Sequence, residues 1–180
     1  TKDHYTFQHS KNVAYYATEL AKALNLNSDV IEIVRQAALL HDIGKIGIPE
    51  SILNKPGRLT DDEYDVIKGH VEASIGIIRH LPSLDYVIPA VIGHHERYDG
   101  KGYPRRIAGE NIPLTARILC VADSFDAMTS KRCYKDGIPV ERVLKILREE
   151  EGRQFDPKRA RVFEELVENG TIHVVKEAVA

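Results

Sequence analysis

Cysteine occurs only at Cys120 and Cys133, and methionine only at Met128. Two thiols cannot staple a disulfide-dense secreted domain, so both read as ordinary side chains of a reduced, cytoplasmic protein. Long apolar runs are missing too: none in these 180 residues is long enough for a transmembrane helix or a signal peptide. Charge of one sign is not in excess: 25 Lys and Arg stand against 27 Asp and Glu, a formal net charge of -2. No whole-molecule field therefore draws the chain to a nucleic acid polymer or a membrane, and any anion must be bound locally. The chain has no internal repeat, no low-complexity tract and no series of alternating strands, so solenoids and all-β architectures drop out. Because the chain starts at Thr1 and holds no earlier methionine, a domain excised from a longer protein is expected, its regulatory region lying elsewhere.

What remains is a 180-residue chain that is 43% hydrophobic, enough for one core, so residues 1–180 are read as a single domain. Its apolar residues recur at helical spacing. A first stripe runs His9, Val13, Tyr16, Ala17, Leu20 and Leu24; a second runs Val30, Val34, Ala37, Ala38 and His41, with Asn27, Ser28 and Asp29 capping between them. "TDDE", Thr60 to Glu63, is a capping box opening a third helix through Ile67, Val71, Ile75 and Ile78, after a loop punctuated by Pro49, Pro56 and Gly57. A fourth helix spans Leu84 to His95 and a fifth Leu114 to Met128. Two amphipathic helices follow, the last with Asp156 as N-cap and Pro157 at its first position, stopped by Gly170. "TIHVV", from Thr171, reads equally as a terminal strand or a tail. The class is all-α, a bundle of about seven helices.

Five of the eight histidines, His9, His41, His70, His94 and His95, fall within or beside these buried stripes, and Asp42 and Asp123 join them. Any one of them alone reads as an ordinary satisfied histidine, and a buried carboxylate without a partner is costly. Seven potential ligands in one apolar helical core instead point to a metal site. Seven are too many for one ion and fit two. Asp42, with two oxygens, suits the bridge; His9, His41 and Asp123 complete one ion, and His70, His94 and His95 the other. Adjacent imidazoles such as His94 and His95 diverge by about 100° on a helix, so the helix is expected to end there. A nitrogen and oxygen shell without thiolate fits iron or manganese, and also nickel or zinc.

"HDIGK" at His41 to Lys45 and "HHERYDGKGYP" at His94 to Pro104 resemble the HD-GYP family of the HD phosphohydrolase superfamily. "ILNKPGRLTDDEYDVIKGH", "IPLTARILCVADSFDAMTSKRCYK" and "FDP" carry the same resemblance, which covers nearly the whole chain. It implies a helical domain with a metal centre in its core that hydrolyses cyclic di-GMP to linear pGpG, in some members onward to GMP. By similarity the ligands are His9, His41, Asp42, His70, His94, His95 and Asp123. Lys45 would lie by the attacked phosphate, with Arg132 and Lys135, and also Asp126 and Arg105, at the substrate. Members with a third metal carry a glutamate four residues before the first histidine ligand; Tyr5 stands there, so two divalent ions are expected. A hydroxide bridging them would attack phosphorus, with Asp42 and Lys45 as the catalytic pair. The family admits a protein partner on the Gly-Tyr-Pro loop and a homodimer. The competing readings are a metal phosphohydrolase for another nucleotide and an inactive module that binds cyclic di-GMP or a partner.

Overall fold

The computed structural model describes residues 2–53, 55, 57–130 and 136–175, and their side chains except those of 2–6, 46, 47, 50 and 82. The chain begins with α1, Lys2–Ala23, which stops where Asn25 takes φ +58°, a left-handed turn that asparagine tolerates. Asn27 then caps α2, Ser28–Leu40, its side chain accepting the Val30 N–H at 2.9 Å. The two helices pack along their sequence stripes, with Val13, Tyr16, Ala17, Leu20, Val34, Ala37 and Ala38 all buried.

Beyond α2 the chain is more broken than its apolar period implies. A 3-10 helix, Ile43–Gly47, is followed by the one-turn α3, Glu50–Leu53, inside the expected loop. The expected third helix is two: α4, Asp61–Lys68, opened by the Thr60/Glu63 capping box, and α5, His70–Ile78. They part at Gly69, where the Ile67 carbonyl meets the His70 ring as well as the Gly69 N–H. The expected fourth helix is a 3-10 turn, Pro82–Val87, leading into the short α6, Ile88–Gly93, with Pro89 in its first turn. A further 3-10 turn, Gly109–Asn111, precedes α7, Leu114–Thr129; then come α8, Val140–Glu149, and α9, Pro157–Glu168. Nine α-helices thus stand among the described residues where about seven were expected, because the stripe records burial and not the breaks within it.

α7 buries Ala116, Ile118, Leu119, Val121, Ala122 and Phe125 and runs through the core. Tyr16 of α1 meets Phe125 of α7 edge-on at 4.9 Å, and Phe125 meets Phe163 of α9 at the same distance, so three helices share one aromatic core. "TIHVV" is a tail: Val175 N–H donates to the Tyr16 hydroxyl at 2.8 Å and His173 N–H to that of Tyr15 at 3.2 Å. The described residues contain no strand, only an isolated bridge between Glu151 and Phe155. None of their helices is long and apolar enough to cross a membrane.

Candidate metal centre

Three of the histidines sit where a helix ends. His41 follows α2, His70 follows the Gly69 cap of α4, and His94 follows α6. Each ring turns its Nδ1 onto the carbonyl three residues before it, Ala38, Ile67 and Val91 respectively, at 2.5 Å. A carbonyl only accepts, so Nδ1 carries a proton, and in the neutral ring Nε2 points inward as the lone pair. The Nε2 atoms of His41, His70, His94 and His95 and the Oδ1 of Asp42 are all buried without a hydrogen-bond partner. Orphaning five polar atoms at one place is expensive unless something else satisfies them, and lone pairs converging from imidazole and carboxylate are what a divalent cation accepts.

The seven side chains expected as ligands come together as two overlapping groups of four: His9, His41, Asp42 and Asp123, and Asp42, His70, His94 and His95. Within each group the donor atoms lie within 4.8 Å of one another, close to twice a metal–ligand bond of about 2.1 Å. Asp42 belongs to both. Its Oδ2 faces His41 Nε2 at 3.1 Å and His9 Nε2 at 3.4 Å, while its Oδ1 faces His70 Nε2 at 3.3 Å and His94 Nε2 at 4.0 Å. α6 ends at Gly93, which frees His94 and His95 from helical divergence; their rings lie 4.1 Å apart in one group.

The two groups differ electrostatically. Burial alone would lower the pKa of His9 and His41, yet contacts with Asp123, Asp126 and Asp42 hold His9 well above its usual value, and Asp42 and Asp123 hold His41 at about 9. Burial would likewise raise Asp42 and Asp123, but the adjacent histidines, with Lys45 for Asp42, keep both well below the usual carboxylate range. On the other side burial and neighbouring imidazoles depress His94, and burial pushes His95 down to about 4. His94 and His95 therefore offer neutral rings outright, whereas a cation entering the first group must displace protons.

Lys45 reaches the same place, its Nζ 3.0 Å from Asp42 Oδ2. Asp126, expected at the substrate, is instead fully buried behind His9, with its Oδ2 2.6 Å from His9 Nδ1. Arg105, also expected there, is exposed and borders a cavity of about 300 Å³ against Ile88, Pro89 and Ile92, which none of the seven ligand candidates lines. Arg132 and Lys135 lie outside the described residues, as does the Tyr5 side chain. Two contributors escaped the sequence reading. Glu96 is buried and accepts the backbone N–H groups of Arg105, Arg106 and Ile107, fixing the loop that carries Tyr103. Tyr103 in turn stacks on His95 at 5.0 Å and 20°. A glutamate directly after two adjacent histidines was the available signal.

Residues 1–158 match the family model of the HD domain. RpfG of Xanthomonas campestris, a cyclic di-GMP phosphodiesterase response regulator, is 43% identical over 150 residues, covering 82% of this chain and 40% of that protein. The 3'3'-cGAMP-specific phosphodiesterase 2 of Vibrio cholerae is 40% identical over 157 residues, 85% of this chain and 30% of its own length. The chain thus spans less than half the length of these curated relatives. Among solved structures, the HDG"Y"P protein Bd1817 of Bdellovibrio bacteriovorus superposes with a TM-score of 0.75 at 19% identity, covering 91% of this chain and 52% of that one, a likeness of fold.

Proposed function

The chain belongs to the HD domain family, with the HD-GYP signature, and on that premise we propose that it hydrolyses cyclic di-GMP to linear pGpG. The observation that carries this function is the pair of ligand groups sharing Asp42, because two-metal centres that cleave phosphate esters hold their cations about 3.5 to 4 Å apart. Two divalent ions, iron or manganese by the donor set and nickel or zinc as alternatives, would supply charge at phosphorus and acidify a water for attack. His9, His41 and Asp123 would hold one, His70, His94 and His95 the other, with Asp42 between. Lys45 adds a partly exposed ammonium at the Asp42 edge, where it would meet the phosphoryl oxygens as negative charge builds on them. Arg132 and Lys135, following α7 in sequence, would hold the substrate's phosphates. We place the domain in the cytoplasm, with the Tyr103 loop as the surface for a protein partner and a homodimer as the assembly.

The names of the relatives give the test its two arms. Metal-loaded protein is incubated with cyclic di-GMP and with 3'3'-cGAMP, and the products are separated. Linear dinucleotide from cyclic di-GMP, abolished by a chelator and restored by metal, is the expected result. Cleavage of 3'3'-cGAMP alone would move the substrate to the second relative's, and binding without cleavage would make the domain a receptor.

A further inference from the structure

Among the four histidines with a hydrogen-bonded Nδ1, His9 differs in what receives it. His41, His70 and His94 each give that proton to a backbone carbonyl, but His9 gives it to the Asp126 carboxylate, at 2.6 Å. Asp126 is 0% exposed, so no substrate reaches it. Its acceptors are also fully spoken for. Oδ2 takes His9, while Oδ1 takes Asn12 Nδ2 at 2.9 Å and the Ser130 hydroxyl at 2.9 Å. Contacts on both oxygens hold the buried carboxyl group in one orientation, and α1 and α7 each contribute to holding it.

We propose that Asp126 is the positioning residue of the His9 half of the centre: it fixes His9 in the tautomer whose Nε2 faces Asp42 and Asp123, and raises the basicity of that nitrogen as a ligand. This role rests on the two-ion reading of the centre, and it makes the halves unequal by construction. The His9 group has carboxylates on both sides of an imidazole, whereas the His70 group has three imidazoles and one shared carboxylate. Outer carboxylates of this kind are worth roughly 10–100-fold in metal affinity. Asparagine cannot replace the carboxylate. If its oxygen faces His9, its amide NH₂ confronts the Asn12 and Ser130 donors; if it turns round, it presents a donor to His9 Nδ1–H.

The test is cadmium titration of the metal-free protein followed by ¹¹³Cd NMR, with ¹⁵N-histidine spectra of the loaded protein reporting each Nδ1–H. Unsubstituted protein should bind two ions and give two cadmium signals. Asp126→Asn should weaken one ion by about 10–100-fold, shift or remove its signal alone, and alter the His9 Nδ1–H resonance while those of His41, His70 and His94 stay. Should that variant not fold, Asn12→Ala and Ser130→Ala each remove one Oδ1 donor and should weaken the same ion less. Both ions bound as in the unsubstituted chain, or both weakened equally, would overturn the assignment. No cadmium binding by the unsubstituted protein would instead overturn the metal reading and this role with it.

Discussion

A histidine at the last turn of a helix faces a row of carbonyls with no partner within the helix, and this chain uses that fact three times. By hydrogen-bonding to the carbonyl three residues back, His41, His70 and His94 cap their helices and choose their own tautomer in one contact. The sequence shows residue types and spacing, so the convergence of these histidines with His9, His95, Asp42 and Asp123 was legible. The partner of each Nδ1 was not, because it depends on where the helix stops. Asp126 illustrates the limit: its position three residues after Asp123 places both on one helical face, but only the packing of α1 on α7 shows that it meets His9. Asp42 allows a sharper statement at this scale. Each of its oxygens faces a different group, so Asp42→Ala is expected to lose both ions and all hydrolysis, whereas His70→Ala should retain the ion on the His9 side. Elemental analysis of the two purified variants checks this, and two ions remaining in Asp42→Ala would contradict it.

At the scale of elements, close approach explains where the helices part. Gly44 in the 3-10 helix lies against the start of α5, and a Cβ there would overlap the His70 carbonyl and the Ser74 nitrogen. Gly102 brings the loop so close under His95 that a Cβ would strike the backbone of His95 and Arg97. Such breaks are invisible to an apolar period, which runs through them unchanged. A different tension sits between α8 and α9. Glu164 of α9 is 4% exposed with its Oε1 unpartnered, and burial, then the hydrogen bond and like charge of Glu151, push its pKa up to about 8; Arg148 and Arg161 pull it down by less. The folded state thus keeps a proton that the unfolded chain releases near 4.5. Stability contributed by that proton is full below about 4.5 and declines as pH rises towards 8, because the unfolded state binds fewer protons over that window. Glu164→Gln removes the titration and keeps a donor for Glu151. Thermal melts at pH 5 and pH 8.5 should show the variant gaining on the parent at the higher pH, and a constant difference would show that Glu164 does not titrate with folding.

For the molecule as a whole, the all-α class followed from apolar spacing and the absence of strand patterns, because helical periods survive even where the helices carrying them are short. The metal centre is a different kind of feature. Its ligands occupy core positions between α1, α2, α5, α6 and α7, so five orphaned polar atoms lie where a domain of this size would otherwise place methyl groups. Whatever satisfies those atoms also ties these helices together, so metal binding and folding are coupled. At a free metal concentration of 100 times the dissociation constant, each site adds about 2.7 kcal/mol. In a domain of this length each kcal/mol moves the melting temperature by about 2–4 °C. Chelation is therefore expected to lower the melting point by roughly 10–20 °C if both sites are filled to that degree, and added metal should restore it. The same melts on Asp42→Ala separate this linkage from a general effect of the chelator: that variant should melt at one temperature with or without metal. A parent protein whose melting point ignores metal would mean that the five buried atoms are satisfied in some other way.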